Sequence, residues 1–234
     1  MTKVAAAAVS VEEALAWLER RGSKRERDGL ARYGIVAKKA YGVPIAGIQQ
    51  LARRIGTDHD LALALWDSGW HEARLLASFV DDPSRVTSAQ MDRWAREFEN
   101  WGVCDTVCFK LFDRVPLAWR KVTQWSGRRD EFVKRGAFAL LASLALHDKE
   151  TGDAPFRRGL ALIEQAATDE RNFVKKGVNW ALRAVGERNT ALNAAAREVA
   201  ERLAASDDPT ARWVGKDALR ALASPAVRKR LAKR

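Results

Sequence analysis

The sequence predicts an all-α protein built from stacked helical repeats. Apolar residues recur at helical spacing along almost the whole chain, and the alternating β-branched runs typical of strands are absent. Three related segments, Phe132-Val-Lys-Arg-Gly136, Phe173-Val-Lys-Lys-Gly177 and Trp213-Val-Gly-Lys-Asp217, begin 41 and 40 residues apart, the spacing of HEAT or armadillo units. Such a repeat buries its apolar face by stacking on its neighbours. We therefore expect a right-handed, curved α-solenoid of HEAT-like repeats; the alternative is chance similarity among amphipathic helices.

Local signals mark where the helices begin and end. Capping-box patterns occur at Ser10-x-x-Glu13, Ser23-x-x-Glu26 and Thr87-x-x-Gln90, where a hydroxyl and an acid or amide satisfy the first backbone amides of a helix. Five prolines fall where a helix can begin, since proline is tolerated in the first turn: Pro44, Pro116, Pro155, Pro209 and Pro225. Breaks are expected at Gly56, Gly127, Gly152 and residues 81–83. We expect one domain over 1–234, less repeat-like over 10–55, with a basic tail over 225–234.

The charge of the chain narrows the class of partner. Lysine and arginine number 41 against 30 acidic residues, for a formal net charge of +11, which favours nucleic acid first and an anionic membrane second. No apolar run approaches the roughly 18 residues of a membrane span, and the patch at 4–9 is too brief for a signal peptide. Cys104 and Cys108 are interpreted as small buried hydrophobes rather than zinc ligands or a disulfide. We therefore expect a protein of the cytoplasm.

One carboxylate departs from the charge pattern of the repeats. Two shorter segments, Trp70-His-Glu-Ala-Arg74 and Trp101-Gly-Val-Cys-Asp105, resemble the three repeat segments. When all five are aligned on their aromatic residues, each carries a charge one helical turn later, at a position that shares a helix face with the aromatic residue. These charges are Arg74, Asp105, Arg135, Lys176 and Lys216. The four cations suit a surface that binds DNA phosphates, whereas Asp105 would weaken such binding. Two explanations are open: Asp105 pairs with a cation such as Arg135 on the next repeat, or it faces something positive in the bound nucleic acid.

Four stretches of the chain carry a resemblance to a known family. They are Leu65-Trp-Asp-Ser-Gly-Trp-His-Glu72, Asn100-Trp-Gly-Val-Cys-Asp105, Val133-Lys-Arg-Gly-Ala-Phe138 and Val174-Lys-Lys-Gly-Val-Asn-Trp-Ala-Leu-Arg183. With weaker similarity near Tyr33 and Lys216, they span about residues 30 to 220. In these stretches the chain resembles the DNA alkylation repair family of AlkD-like glycosylases, which are single-domain proteins of stacked HEAT-like repeats. We expect a monomer.

The resemblance implies a catalytic centre of Trp101, Asp105, Arg135 and Trp180. It implies excision of cationic N3- or N7-alkylated purines from double-stranded DNA, with the nucleotide still in the stack. Asp105 would stabilise the charge that develops on the sugar, the two tryptophans would face the cationic nucleotide, and Arg135 would hold a flanking phosphate. No metal or organic cofactor is implied. The expected DNA contacts are Arg74, Lys134, Lys175, Lys176, Arg183, Lys216 and Tyr33.

Two other functions are compatible with the sequence. Some relatives keep the scaffold and DNA binding without base excision, so the chain could recognise distorted or branched DNA. A helical-repeat scaffold for an acidic protein is the second alternative. The tail Arg228-Lys-Arg230 is either a further DNA contact or a frayed, solvated end.

Overall fold

The computed structural model describes residues 9–233, and all regular structure within that range is helical. This part of the chain holds fourteen α-helices and two short 3₁₀ helices, which confirms the all-α prediction. Internal contacts divide the chain into two compact units, which meet in sequence between Thr87 and Ser88. The single domain over 1–234 stays a prediction. Apart from Val9, the apolar patch at 4–9 lies outside the described residues, among which no helix has the length and apolarity to cross a membrane.

The first unit contains five α-helices and one 3₁₀ helix. They are α1 (Val11–Arg21), α2 (Lys24–Leu30), a 3₁₀ helix (Ala31–Tyr33), α3 (Ile45–Ile55), α4 (His59–Asp67) and α5 (His71–Val80). The predicted capping box at Ser10 is confirmed, because its hydroxyl accepts from the Glu13 amide at 3.2 Å while Glu13 accepts from the Ser10 amide at 2.9 Å. At α2 the Ser23 hydroxyl accepts from the Glu26 amide. Trp17 and Trp66 are buried, as expected of core residues.

The second unit carries the repeats. Its helices are α6 (Ser88–Arg96), α7 (Trp101–Lys110), a 3₁₀ helix (Phe112–Arg114), α8 (Ala118–Ser126), α9 (Glu131–His147), α10 (Asp153–Ala166), α11 (Asn172–Gly186), α12 (Thr190–Ala204), α13 (Pro209–Leu222) and α14 (Pro225–Leu231). Helices α7, α9, α11 and α13 pack side by side in chain order, while α8, α10 and α12 form a second row against them. The aromatic residues Phe132, Phe173 and Trp213 that define the repeat lie on α9, α11 and α13.

Small side chains allow these helices to pack closely. Cys104 and Cys108 are fully buried, and their thiols lie 3.6 and 3.5 Å from carbonyl oxygens of α9, which confirms them as packing residues. Burial also raises the pKa of Cys108 well above its ordinary value. A β-carbon at Gly215 would overlap the backbone nitrogen of Ala204 and lie 2.5 Å from the carbonyl oxygen of Ala200. Helix α13 therefore contacts the backbone of α12 directly at Gly215.

We predict that Gly215→Ala destabilises the protein, because backbone atoms cannot move aside as a flexible side chain can. The expected loss is about 1–3 kcal/mol in the free energy of unfolding, measured by urea denaturation. Gly29→Ala is the matched control, since Gly29 lies in α2 with no atom within 4 Å of the added carbon. That control should be neutral or stabilising by up to about 1 kcal/mol. Equal effects of the two substitutions would show that the α12–α13 contact can relax.

Candidate functional site

The N-terminal cap of helix α7 fixes where this helix begins. The buried Asn100 caps the helix, and its side-chain oxygen accepts from the Val103 amide at 3.0 Å. This cap makes Trp101 the first helical residue and places Asp105 one turn later on the same face. The side chains of Trp101 and Asp105 are both partly exposed.

Asp105 and Arg135 form a two-point ion pair between α7 and α9. Arg135 Nε donates to Asp105 Oδ1 at 2.8 Å, and Nη2 donates to Oδ2 at 2.7 Å. The Arg135 side chain is 8% exposed and that of Asp105 is 19% exposed. Planar two-point pairing fixes the orientation of a carboxylate as well as its position. Of the two explanations that the sequence left open for Asp105, the ion pair is therefore present.

Arg135 also binds a third helix. Its Nη1 donates to the carbonyl oxygen of Phe173, in the first turn of α11, at 2.7 Å. A β-carbon at Gly177 would touch Arg135 Cγ at 3.4 Å, so the arginine stem runs directly over this position of α11. Because all three contacts use different nitrogens, one side chain links three successive helices of the row.

Burial and pairing oppose each other in both partners of the pair, and burial prevails only at Asp105. Burial raises the pKa of Asp105 above its ordinary value, although the hydrogen bonds and charge of Arg135 act in the opposite direction. Burial lowers the pKa of Arg135, but the hydrogen bond and charge of Asp105 outweigh it, so the net shift is upward. The guanidinium therefore stays charged, and the carboxylate is more basic than a solvated aspartate.

Trp180 lies beside a cavity of about 330 Å³ in the second unit. The cavity is lined by Trp180 and Arg183 of α11, by Leu146 of α9, and by Phe109, one turn after Asp105 on α7. Arg230 of α14 pairs with Glu187 at its edge. Trp180 is partly exposed rather than a core residue. The structure thus brings Asp105 and Arg135 into contact, and places Trp180 and Arg183 together at the cavity.

The expected DNA-contact residues occupy different environments. Lys176 and Lys216 are exposed on α11 and α13, and Lys175 Nζ lies 5.4 Å from the centre of the Trp213 ring. Lys134 is bound to Asp169 at 2.9 Å, with only 17% of its side chain exposed. A contact between Lys134 and phosphate would therefore require it to leave a carboxylate partner.

The two remaining predicted contacts belong to the first unit. The Arg74 guanidinium lies over the Trp66 ring, 5.1 Å from its centre. Tyr33 ends the 3₁₀ helix after α2, and 72% of its surface is exposed. Packing on an indole holds Arg74, whereas Tyr33 is presented to solvent.

Sequence reasoning missed two partners of the predicted residues. Asp169 binds Arg171 at 2.6 Å as well as Lys134, and these cations, Arg171 first, hold the pKa of its carboxyl well below its ordinary range. The Phe173 carbonyl is the other. An acid five residues before the Val174-Lys-Lys-Gly177 stretch was a visible signal for Asp169, but a main-chain acceptor leaves no trace in side-chain patterns.

Two of the three histidines, His59 and His147, have acidic partners. His59 Nδ1 lies 2.6 Å from Asp81 in the first unit, and His147 Nδ1 lies 2.5 Å from Asp113 in the second. Among residues 9–233, no group of three or more histidine, cysteine or acidic side chains is arranged to hold a metal ion.

Comparisons with known proteins agree with the resemblance in the sequence. The model of the family described as DNA alkylation repair enzyme matches residues 14–222. A solved structure has a TM-score of 0.76 at 18% identity, over 95% of this chain and 96% of that one. That protein represents a family related to the HEAT-like repeat DNA glycosylases, with affinity for branched DNA structures. A designed armadillo repeat protein aligns at 15% identity over 76% of this chain and 86% of its own, with a TM-score of 0.38. No curated protein matches the chain by sequence.

The ion pair gives a prediction about stability. Arg135→Gln should cost about 3 kcal/mol in the free energy of unfolding, since it leaves a largely buried carboxylate without its partner. Arg202→Gln is the matched control, because Arg202 binds Glu164 through the same two nitrogens, at 2.7 and 2.9 Å, in an exposed position. Urea denaturation should show a loss below about 1 kcal/mol for this control. Similar losses for both variants would mean that Asp105 is solvated well enough to need no partner.

Proposed function

Because the chain belongs to the DNA alkylation repair enzyme family, we propose that it is a monofunctional DNA glycosylase. Its substrates are N3- and N7-alkylated purines in duplex DNA, and its reaction is hydrolysis of the bond between base and deoxyribose. The observation that carries this proposal is the partly exposed Asp105 carboxylate, oriented by Arg135 and preceded by Trp101 on the same helix face. The proposal places the protein in the cytoplasm, acting on DNA as a monomer.

The chemistry of the substrate explains why so few groups suffice. A purine alkylated at N3 or N7 carries a formal positive charge and leaves as a neutral molecule, so the leaving base needs no general acid. As the bond to C1′ breaks, positive charge moves onto the deoxyribose. A preorganised carboxylate stabilises that charge and can accept a proton from the attacking water. No step of this mechanism calls on a metal or an organic cofactor.

Arg135 is a positioning residue in this mechanism. Three of its nitrogens already donate to Asp105 and Phe173, so we assign the holding of phosphates to exposed cations such as Lys176 instead. The pair as a whole is nearly neutral, and both partners keep a small exposed fraction, 19% of the Asp105 side chain and 8% of that of Arg135.

The two tryptophans supply binding to the cationic nucleotide. An indole face attracts a cation with about 0.5–2 kcal/mol, depending on how fully the pair is desolvated. Trp101 stands one turn before Asp105, and Trp180 borders the cavity beside α7 and α9. We propose that they contact the nucleotide while its base stays in the stack, so that extrusion of the base is unnecessary.

A non-catalytic DNA-binding protein is the second candidate. The solved structure with the same fold is described as having affinity for branched DNA, and the Asp105–Arg135 pair also fits a purely structural strut. In that case the protein would bind distorted or branched DNA and release no base. Partial exposure of Asp105, Trp101 and Trp180 favours the glycosylase, because a strut gains nothing from an accessible carboxylate.

Incubation with duplex DNA that contains one 7-methylguanine separates the candidates. The glycosylase should leave abasic sites, detected as strand breaks after alkali treatment, and should leave a uracil-containing duplex intact. Uracil departs as an anion and needs stabilisation that these residues do not provide. Binding without abasic sites would support the non-catalytic protein, and efficient uracil excision would overturn the mechanism.

We predict that Asp105→Asn lowers the single-turnover rate of 7-methylguanine excision on the order of 10²-fold or more. Binding to the alkylated duplex should persist or tighten, because a charge that repels phosphate is removed. Glu164→Gln is the matched control, since it removes the carboxylate of an arginine pair on α10, in the second row. The control should retain the parental rate. An Asp105→Asn protein that excises at the parental rate in its folded fraction would make Asp105 a strut.

Lys176→Glu should weaken DNA binding and flatten its dependence on salt. Each phosphate contact contributes roughly 0.9 to the slope of log affinity against log salt, so the slope should fall by about 1. Arg197→Glu provides the same charge change on the exposed surface of α12, in the second row. Fluorescence anisotropy at several salt concentrations measures both slopes. Equal slopes in the two variants would mean that DNA binds elsewhere.

A further inference from the structure

The first unit contains a second cavity, of about 470 Å³, beside the chain segment that follows α2. Its lining combines two chemical types. Arg27, Lys38 and Lys39 contribute cations, while Leu30, Ile35 and Trp70 contribute apolar and aromatic surface. Of the described residues that line it, none is acidic. A cavity of this size accepts a drug-sized or nucleotide-sized ligand, and its charge selects an anion.

Hydrogen bonds anchor the chain segment that lines this cavity to the start of α5. Glu72, at the start of α5, is 1% exposed and accepts three backbone amides, from Tyr41 at 3.0 Å, Gly42 at 2.7 Å and Val43 at 3.2 Å. The His71 amide donates to the Lys39 carbonyl at 2.9 Å. Gly42 has φ of 81°, a conformation that favours glycine. The segment is therefore ordered before a ligand binds, so binding costs little additional conformational entropy.

The orientation of Trp70 is fixed by stacking on a neighbouring aromatic ring. Its ring stacks on Tyr41 with centres 3.8 Å apart and planes within 8°. The stacked indole lines the cavity together with Ile35. The same stretch of chain carries unusually exposed apolar side chains: Val36, which lines the cavity, is 75% exposed, and Tyr33 is 72% exposed. Aromatic and apolar surface interleaved with cations is the composition of sites that hold nucleobases and their phosphates.

We propose that this cavity binds an unpaired nucleotide of DNA, with its base against Trp70 and Ile35 and its phosphate at Arg27 and Lys39. A paired base is enclosed in its duplex and cannot enter a cavity, whereas a nucleotide at a bulge, gap or branch point can. The inference rests on the proposed function only in taking DNA as the partner. It adds a preference for DNA with unpaired positions, separate from excision at Asp105.

The test compares two duplexes of one sequence, one fully paired and one with a single bulged 2-aminopurine. Because stacking of an unpaired base on an aromatic ring adds to the binding free energy, the parent protein should bind the bulged duplex on the order of 10-fold more tightly. The fluorescence of 2-aminopurine should fall on binding, as the base stacks on the indole. Lys39→Glu and Ile35→Glu should each bring the ratio of affinities near one. Arg53→Glu, an exposed cation on α3, is the matched control and should keep the parental ratio.

The outcomes separate this inference from the proposed function. Excision of 7-methylguanine from a paired duplex, at saturating protein, should be unchanged in Lys39→Glu and Ile35→Glu. A parent protein that excises but binds both duplexes equally overturns the inference alone. A parent protein that prefers the bulge without excising overturns the glycosylase alone. Unchanged ratios in both cavity variants, with circular dichroism confirming folding, also overturn the inference.

Discussion

The candidate site depends on the ion pair and the hydrogen bond that the Arg135 guanidinium makes. It binds the Asp105 carboxylate of α7 and the Phe173 carbonyl of α11 while its own backbone belongs to α9. A buried cation is costly unless it is paired and hydrogen-bonded, so the three helices must hold their spacing for the arginine to keep these partners. The arginine stem lies against Gly177 of α11, where an added β-carbon would be in ordinary van der Waals contact with Arg135 Cγ at 3.4 Å. The position of Asp105 is therefore a property of three helices rather than of one.

This arrangement serves two requirements that usually oppose each other. A carboxylate that stabilises positive charge must be ionised, held in place and reachable. Burial favours the neutral acid and raises its pKa, while the arginine opposes that shift and fixes both oxygens. The more basic carboxylate is the better proton acceptor, and its exposed edge stays accessible. The arginine partner thus orients a largely buried carboxylate that still keeps part of its surface exposed.

The first unit also contains a buried carboxylate, but its hydrogen-bond partners are backbone amides rather than a cation. Glu72 is almost fully buried, and its two oxygens accept three consecutive backbone amides instead of a guanidinium. The amides satisfy the carboxylate while the carboxylate fixes the chain from Tyr41 to Val43. In both units a buried acid positions structure that would otherwise be free to move. The difference is that Asp105 remains partly exposed, whereas Glu72 is enclosed and acts through the segment that it holds.

The sequence by itself determined the helical class, the repeat and its register. Helical periodicity, caps and glycine breaks are local signals, because they depend on hydrogen bonds between residues three to five apart. The repeat spacing placed Asp105 and Arg135 about one helical turn after the aromatic residues of successive repeats. Resemblance to a family then added roles for Trp101 and Trp180, the second of which would otherwise have been interpreted as a core residue. These signals sufficed to name the residues of the candidate site.

Only the tertiary structure decided what those residues contact. The sequence allowed Asp105 either to pair with Arg135 or to face the nucleic acid, and the packing of α7 on α9 selected the pair. Packing of the helices also pairs Lys134 with Asp169 and leaves Lys176 exposed. In the first unit, packing forms the cavity beside Trp70. These outcomes depend on residues about 30 or more positions apart, and on how completely each is removed from water. Distance between helices and local dielectric set the partner of a charged side chain, and neither quantity is encoded in local sequence.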